Sequence, residues 1–190
     1  MERLQLYYPC RPYSLNQGFG ENANGFYKEL GMLGHNGWDL FAPDGTLVRA
    51  THDGVVTFCG HDGSGGLGVV IRTKKPFIYR DGEAFYKTIY WHLKEGTIRV
   101  KPDQEVVAGT IIALADNTGM STGSHLHFGL KPMMQGEQSW QWYNTEQDNG
   151  YQGAIDPLPY FTGEYADVVY PGLGARAFQA LLDLVKSKKI

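Results

Sequence analysis

Between positions 46 and 130 the chain is a succession of short β-type runs, each closed by Gly, Pro, Asp or Asn, and this rhythm limits the fold more than any other feature of the sequence. The runs cover residues 46–50, 54–59, 67–73, 87–92, 105–107, 110–115 and 125–130. Their β-branched and aromatic side chains suit a pleated surface, whereas the intervening residues suit tight turns. A composition with 25 Gly and 12 Tyr tilts the same way. Short strands joined by tight turns predict a mainly β fold, an antiparallel sandwich or barrel-like domain.

At 190 residues the chain suits one compact domain with small additions. We divide it into residues 1–165, a domain with an N-terminal arm, and residues 166–190, a C-terminal tail. Turn-rich sequence around Pro9, Pro12, Asn16 and Gly18 predicts no helix within residues 1–30. Residues 74–83, with Lys-Lys-Pro and Arg80-Asp81-Gly82, read as a hairpin tip that walls a groove. Residues 132–154 read as an inserted loop in which Trp140, Trp142 and Tyr143 act as anchors rather than as a platform for sugar rings. Phe178, Leu181, Leu182 and Val185 stand at helical spacing ahead of Lys186, Lys188 and Lys189, which predicts a short amphipathic helix closing the chain.

A net charge of -3 argues against a nucleic-acid binder, which needs a basic face to displace counterions. No segment approaches the roughly 20 apolar residues of a membrane span, and no secretory signal is visible at the start. Cys10 and Cys59 lie far apart in sequence and read as two separate thiols rather than a disulfide.

The chemistry gathers in three places. In Ser124-His125-Leu126-His127-Phe128 the two imidazoles are two residues apart, so a strand presents both on one face, a good start for a zinc site. In Gly34-His35-Asn36-Gly37-Trp38-Asp39 the histidine and the carboxylate are four apart, which shares a face in extended chain as well as in helix, and the glycines and Pro43 disfavour the helix. His92 ends the run Tyr90-Trp91-His92-Leu93 and is the candidate acid or base beside a metal. His52 and His61 lack a partner at ligand spacing and read as packed or surface residues. Residues 63–68 are Gly-rich, but no Gly-Lys-Ser/Thr follows, so they read as a flexible turn at a groove edge rather than a phosphate loop.

The ordered set His-x-x-x-Asp, Tyr-x-His-Leu and Thr-Gly-x-His-Leu-His-Phe resembles the lysostaphin and LytM type of zinc metallopeptidase over about residues 15–160. Gln17-Gly18-Phe19-Gly20 is similar to the strand that opens that domain and Ile155-Asp156-Pro157 to its closing turn. The resemblance implies that His35, Asp39 and His127 bind zinc and that His92 and His125 flank the attacking water and the scissile carbonyl. It also implies a tyrosine shortly before the first metal histidine, for which Tyr27 is the near candidate.

Zinc held by two imidazoles and a carboxylate activates water near neutral pH, and imidazoles of pKa about 6.5 suit the proton transfers. The expected activity is hydrolysis of peptide bonds in peptidoglycan stem peptides or cross-bridges at the bacterial cell wall, with zinc as cofactor and wall peptides as partners. The rivals are a non-catalytic wall-binding or amidase-regulating module on the same fold, and a zinc carboxypeptidase or amidase. Loss of metal ligands marks the degenerate members of the family, and here every ligand position is filled.

Overall fold

The computed structural model describes residues 2–22, 25–138 and 141–167. Its strands are β1 (Leu15–Gln17), β2 (Trp38–Phe41), β3 (Leu47–Arg49), β4 (Gly54–Asp62), β5 (Gly66–Arg72), β6 (Phe77–Tyr79), β7 (Gly82–Trp91), β8 (Glu105–Val106), β9 (Ile111–Leu114), β10 (His125–Gln135) and β11 (Trp142–Asn144). A nine-stranded sheet runs β1-β2-β10-β7-β5-β4-β8, with β11 added to β10 and β6 to β7, while β3 and β9 form a separate two-stranded sheet. Every pairing among these strands is antiparallel. The mainly β architecture read from the sequence is the one observed.

Strand alternation divides the large sheet into two faces. Leu126, Phe128 and Leu130 of β10, Tyr86 and Tyr90 of β7, Val69 and Ile71 of β5, and Trp38 and Leu40 of β2 point into the core, and each is at most 3% exposed. Val48, Ile112 and Ala113 of the small sheet complete that core from the other side. The opposite face of β10 carries His125, His127, Gly129 and Lys131. One strand therefore supplies both the packing that fixes it and, on its other face, the candidate functional side chains.

Local details depart from the sequence reading where tertiary pairing adds structure. A single helical turn, α1 (Phe26–Glu29), forms in the arm expected to have no helix. Residues 74–83 do form a hairpin, β6 against β7 with Arg80 at φ 52° in its turn, but it walls no part of the cleft that holds the histidines. Instead Tyr79 donates to Glu146 at 2.6 Å and Arg80 pairs with Glu146 at 3.0 Å, clamping the hairpin to the following loop. Residues 132–154 are only partly loop, because β10 runs on to Gln135 and pairs with β11. Trp142 anchors that pair as expected, lying 3.6 Å below the Arg72 guanidinium and edge-on to Phe85. Trp140 and the helix expected over residues 178–189 lie outside the described residues. Cys10 and Cys59 are both free thiols.

Behind β7 a buried polar network replaces apolar packing. Thr51 and Thr88 both reach the Tyr90 hydroxyl, at 2.8 and 3.2 Å. His52, 5% exposed, donates from Nδ1 to the Asp53 carbonyl oxygen and accepts at Nε2 from the Thr88 hydroxyl at 2.9 Å. Burial holds this imidazole down at about 4, so it is neutral in the folded protein near pH 7. On unfolding it regains an ordinary affinity for protons. The stabilisation from neutral His52 is therefore complete above about pH 6.5 and is lost as pH falls toward 4, at up to about 1.4 kcal/mol per pH unit. Urea unfolding of the metal-free protein between pH 7 and 4.5 should show this slope, and His52→Gln should flatten it whatever its effect at pH 7.

Candidate metal centre

The register of β10 against β2 sets His127 directly opposite Asp39 and His125 opposite Phe41. Residues opposed across an antiparallel pair lie side by side on one face, so the imidazole and the carboxylate meet without any loop to position them. His127 Nδ1 is 3.1 Å from Asp39 Oδ1. His35 comes from the segment before β2 and closes the group, with Nε2 at 3.1 Å from the same Asp39 oxygen and 3.0 Å from His127 Nδ1.

Backbone contacts hold His35 in place. Its N–H donates to the Glu21 carbonyl at 3.0 Å, and its own carbonyl accepts from Gly20 N–H at 2.8 Å. Its side chain is 2% exposed, and Nδ1 donates to the Gly18 carbonyl oxygen at 3.1 Å. With Nδ1 committed to that carbonyl, Nε2 is the nitrogen that faces the carboxylate oxygen. Two acceptors at that distance repel unless a cation or a proton lies between them.

The donor set answers to zinc. Three ligand atoms, two imidazole nitrogens and one carboxylate oxygen, lie within 4.8 Å of one another. A tetrahedral ion bonded at about 2.0–2.1 Å separates its donors by about 3.3 Å, close to the spacings found here. The electrostatics agree. Burial pushes the Asp39 carboxyl up, but hydrogen bonds from His125, His127 and His35 outweigh it and hold Asp39 far below the usual carboxylate range. Burial holds His127 below its ordinary value against the pull of Asp39. Asp39 is thereby kept charged and burial favours the neutral form of His127, the forms that metal ligation requires.

His92 and His125 lie beside this group, their rings 4.5 Å apart between centroids. His92 Nδ1 donates to the Thr118 carbonyl oxygen at 2.7 Å, and His125 Nδ1 to that of Gly123 at 2.8 Å. Each ring thus keeps Nε2 clear of the backbone, and His125 Nε2 stands 3.4 Å from Asp39 Oδ1. Burial holds His92 down at about 4, although the Thr118 carbonyl raises it. His92 also has φ 61°, a left-handed backbone that costs a non-glycine residue free energy. Hydrogen bonds from its N–H to Gly65 and from Asp116 to its carbonyl fix it there.

All five residues line one open cleft of about 930 Å³. Its walls include Tyr27, whose ring centroid is 5.5 Å from that of His35 and whose hydroxyl donates to Gln17 at 3.0 Å. Ser64 and Gly65 form one edge, in keeping with the groove-edge reading of that turn. His52 and His61 stand apart. The first belongs to the buried network behind β7, and the second is an exposed partner of Glu95.

Sequence reasoning overlooked the groups that orient the histidines. Gly18, Thr118 and Gly123 act through carbonyl oxygens, which no side-chain motif can announce. Gly37 acts through what it lacks, since a Cβ there would meet the Phe128 carbonyl oxygen at 2.5 Å and the His127 ring at 2.8 Å.

Residues 33–140 match Peptidase family M23. A relative, the DD-carboxypeptidase/endopeptidase Mpg of Neisseria meningitidis, is 39% identical over 99 residues, 50% of this chain and 19% of that protein. The chain therefore spans about one fifth of the length of the curated relative it matches. A zinc-containing peptidase from Vibrio cholerae superposes with a TM-score of 0.59 at 28% identity, covering 88% of this chain and 41% of the other. The antimicrobial peptidase lysostaphin from Staphylococcus simulans superposes with a TM-score of 0.60 at 25% identity, covering 92% and 62%.

Gly37→Ala should weaken zinc binding by about 10-fold or more while leaving every ligand in the sequence, because the added methyl displaces the His127 ring or the strand beside it. Competition against a chromogenic chelator measures this, with circular dichroism to show that the fold persists.

Proposed function

The chain belongs to peptidase family M23, and on that premise we propose that it is a zinc-dependent endopeptidase that hydrolyses peptide bonds in peptidoglycan at the bacterial cell wall. The observation that carries this reading is the convergence of three ligand atoms within 4.8 Å in an open cleft that also holds two further imidazoles. The names of the relatives point the same way.

His35 Nε2, Asp39 Oδ1 and His127 Nδ1 would hold the ion, leaving room for solvent and substrate as catalytic zinc sites do. Bound there, zinc supplies Lewis acidity that polarises a peptide carbonyl and acidifies the attacking water. His92 and His125 handle the protons at Nε2, since Nδ1 of each ring is tied to a backbone carbonyl. A neutral Nε2 would take one proton as the water oxygen bonds to the carbonyl carbon and then return it to the departing amine nitrogen, so the peptide C–N bond breaks to an amine and a carboxylic acid, which gives up its proton to solvent. The Thr118 carbonyl and the fixed backbone of His92 preorganise that ring, so little reorientation is needed during reaction. Tyr27, on the His35 side of the cleft, would take part by turning its hydroxyl from Gln17 to the carbonyl oxygen as charge develops there.

The open cleft suits an extended peptide better than a small enclosed ligand. Among the described residues no helix is long and apolar enough to cross a membrane. We assign the catalytic domain to residues 1–165, with residues 166–190 as an appended tail.

His35→Ala, Asp39→Ala and His127→Ala should each lose stoichiometric zinc and all peptidoglycan hydrolysis. His92→Ala and His125→Ala should keep zinc and lose activity by about 10²- to 10⁴-fold. Metal analysis, paired with mass spectrometry of digested muropeptides, reads both effects. Wild-type turnover by the His92→Ala, His125→Ala double variant, or by chelator-treated protein, would overturn the assignment.

A further inference from the structure

The cleft floor carries two lysines that the proposed chemistry does not use. Lys131 of β10 lies in the same alternation as His127 and Gly129, and Lys87 of β7 stands directly opposite it in register. Both line the cleft with the metal cluster. Like charges directly opposed on one face of a sheet repel, so the pair is unfavourable by itself. Among the described residues neither ammonium makes a hydrogen bond or ion pair. The acidic group whose field reaches both is Asp62, at the exposed end of β4. Burial and the neighbouring Lys87 charge bring Lys131 down to about 8, so an anion between the two would relieve both.

We propose that Lys87 and Lys131 form a carboxylate-binding subsite that selects acidic peptides, those carrying a free carboxylate to one side of the hydrolysed bond. The proposal rests on the peptidase reading above and names its substrate class. Lys131 is four residues along β10 from His127, about 13 Å at the rise of an antiparallel strand. That is the length of about four residues of extended peptide. Gly129 lies between them and leaves the floor without a side chain, where a Cβ would already stand 3.4 Å from Ile89. A peptide lying over Gly129 with its scissile carbonyl at the histidines brings a carboxylate to the lysines. The uninterrupted part of a glycine bridge has no side-chain carboxylate to offer there, whereas stem peptides with acidic residues do.

The test compares the zinc-loaded wild type with Lys87→Met, Lys131→Met and their double variant on two cross-linked muropeptides that differ only in whether the stem carboxylate is free or amidated. The expected result is a loss of about 10- to 100-fold in kcat/KM for the double variant on the free-carboxylate substrate, mainly through KM, with zinc content unchanged. The wild type should treat the amidated substrate as the double variant treats the free one, and Lys87→Arg with Lys131→Arg should restore part of the loss. Equal kcat/KM of wild type for the two substrates, or an unaffected double variant, overturns the subsite. If the wild type cleaves neither substrate, the peptidase reading fails separately. Calorimetric binding of the two peptides to wild type and double variant then decides the subsite alone: a carboxylate-dependent difference lost with the lysines supports it, and equal binding overturns it.

Discussion

The cross-strand pair of His127 and Asp39 is the constraint on which the rest depends. Because β10 and β2 meet in the register that opposes these two residues, an imidazole and a carboxylate separated by 88 positions become immediate neighbours on a rigid sheet. A slip of one residue would turn both toward the core and put Leu126 or Phe128 in the cleft. The full burial of Leu126, Phe128, Leu130 and Leu40 makes that slip costly, since each side chain contributes on the order of 1.5–3 kcal/mol by leaving water. Core packing thus fixes which side chains the opposite face presents.

Around this pair the protein uses backbone carbonyls to decide which nitrogen of each ring faces inward. Gly18 takes the proton of His35, Thr118 that of His92 and Gly123 that of His125. A carbonyl oxygen has no charge to lose and no rotamer to sample, so the choice of nitrogen is built into the path of the chain. Glycines serve the same end by omission. A methyl at Gly37 would collide with the His127 ring, and one at Gly68 would collide with Trp91 on the cleft wall.

The two faces of the sheet handle polar groups differently. Toward the core, Thr51, His52, Thr88 and Tyr90 satisfy one another, and the imidazole stays neutral within that closed network. Toward the cleft, histidine nitrogens crowd around one carboxylate oxygen, and two ammonium groups stand without a hydrogen bond among the described residues. Groups of that kind hold their places because the strands beneath them are over-determined.

The strand runs from 46 to 130, the shared face of His125 and His127 and the anchoring of Trp142 were all legible in the chain, because strand alternation and turn chemistry are local properties. So was the motif set that resembles the lysostaphin type, since chemistry of this kind needs particular residue types in a fixed order. The turn of helix at Phe26–Glu29, the pairing of β11 with β10 and the displacement of the β6–β7 hairpin from the cleft were not, because each depends on contacts with distant segments. By itself the sequence determined the mainly β class and the candidate ligands. Only the tertiary structure decided which nitrogen each histidine presents, which carbonyls hold them and that Lys87 faces Lys131 on the same floor, since register and backbone path arise from long-range pairing that no local pattern encodes.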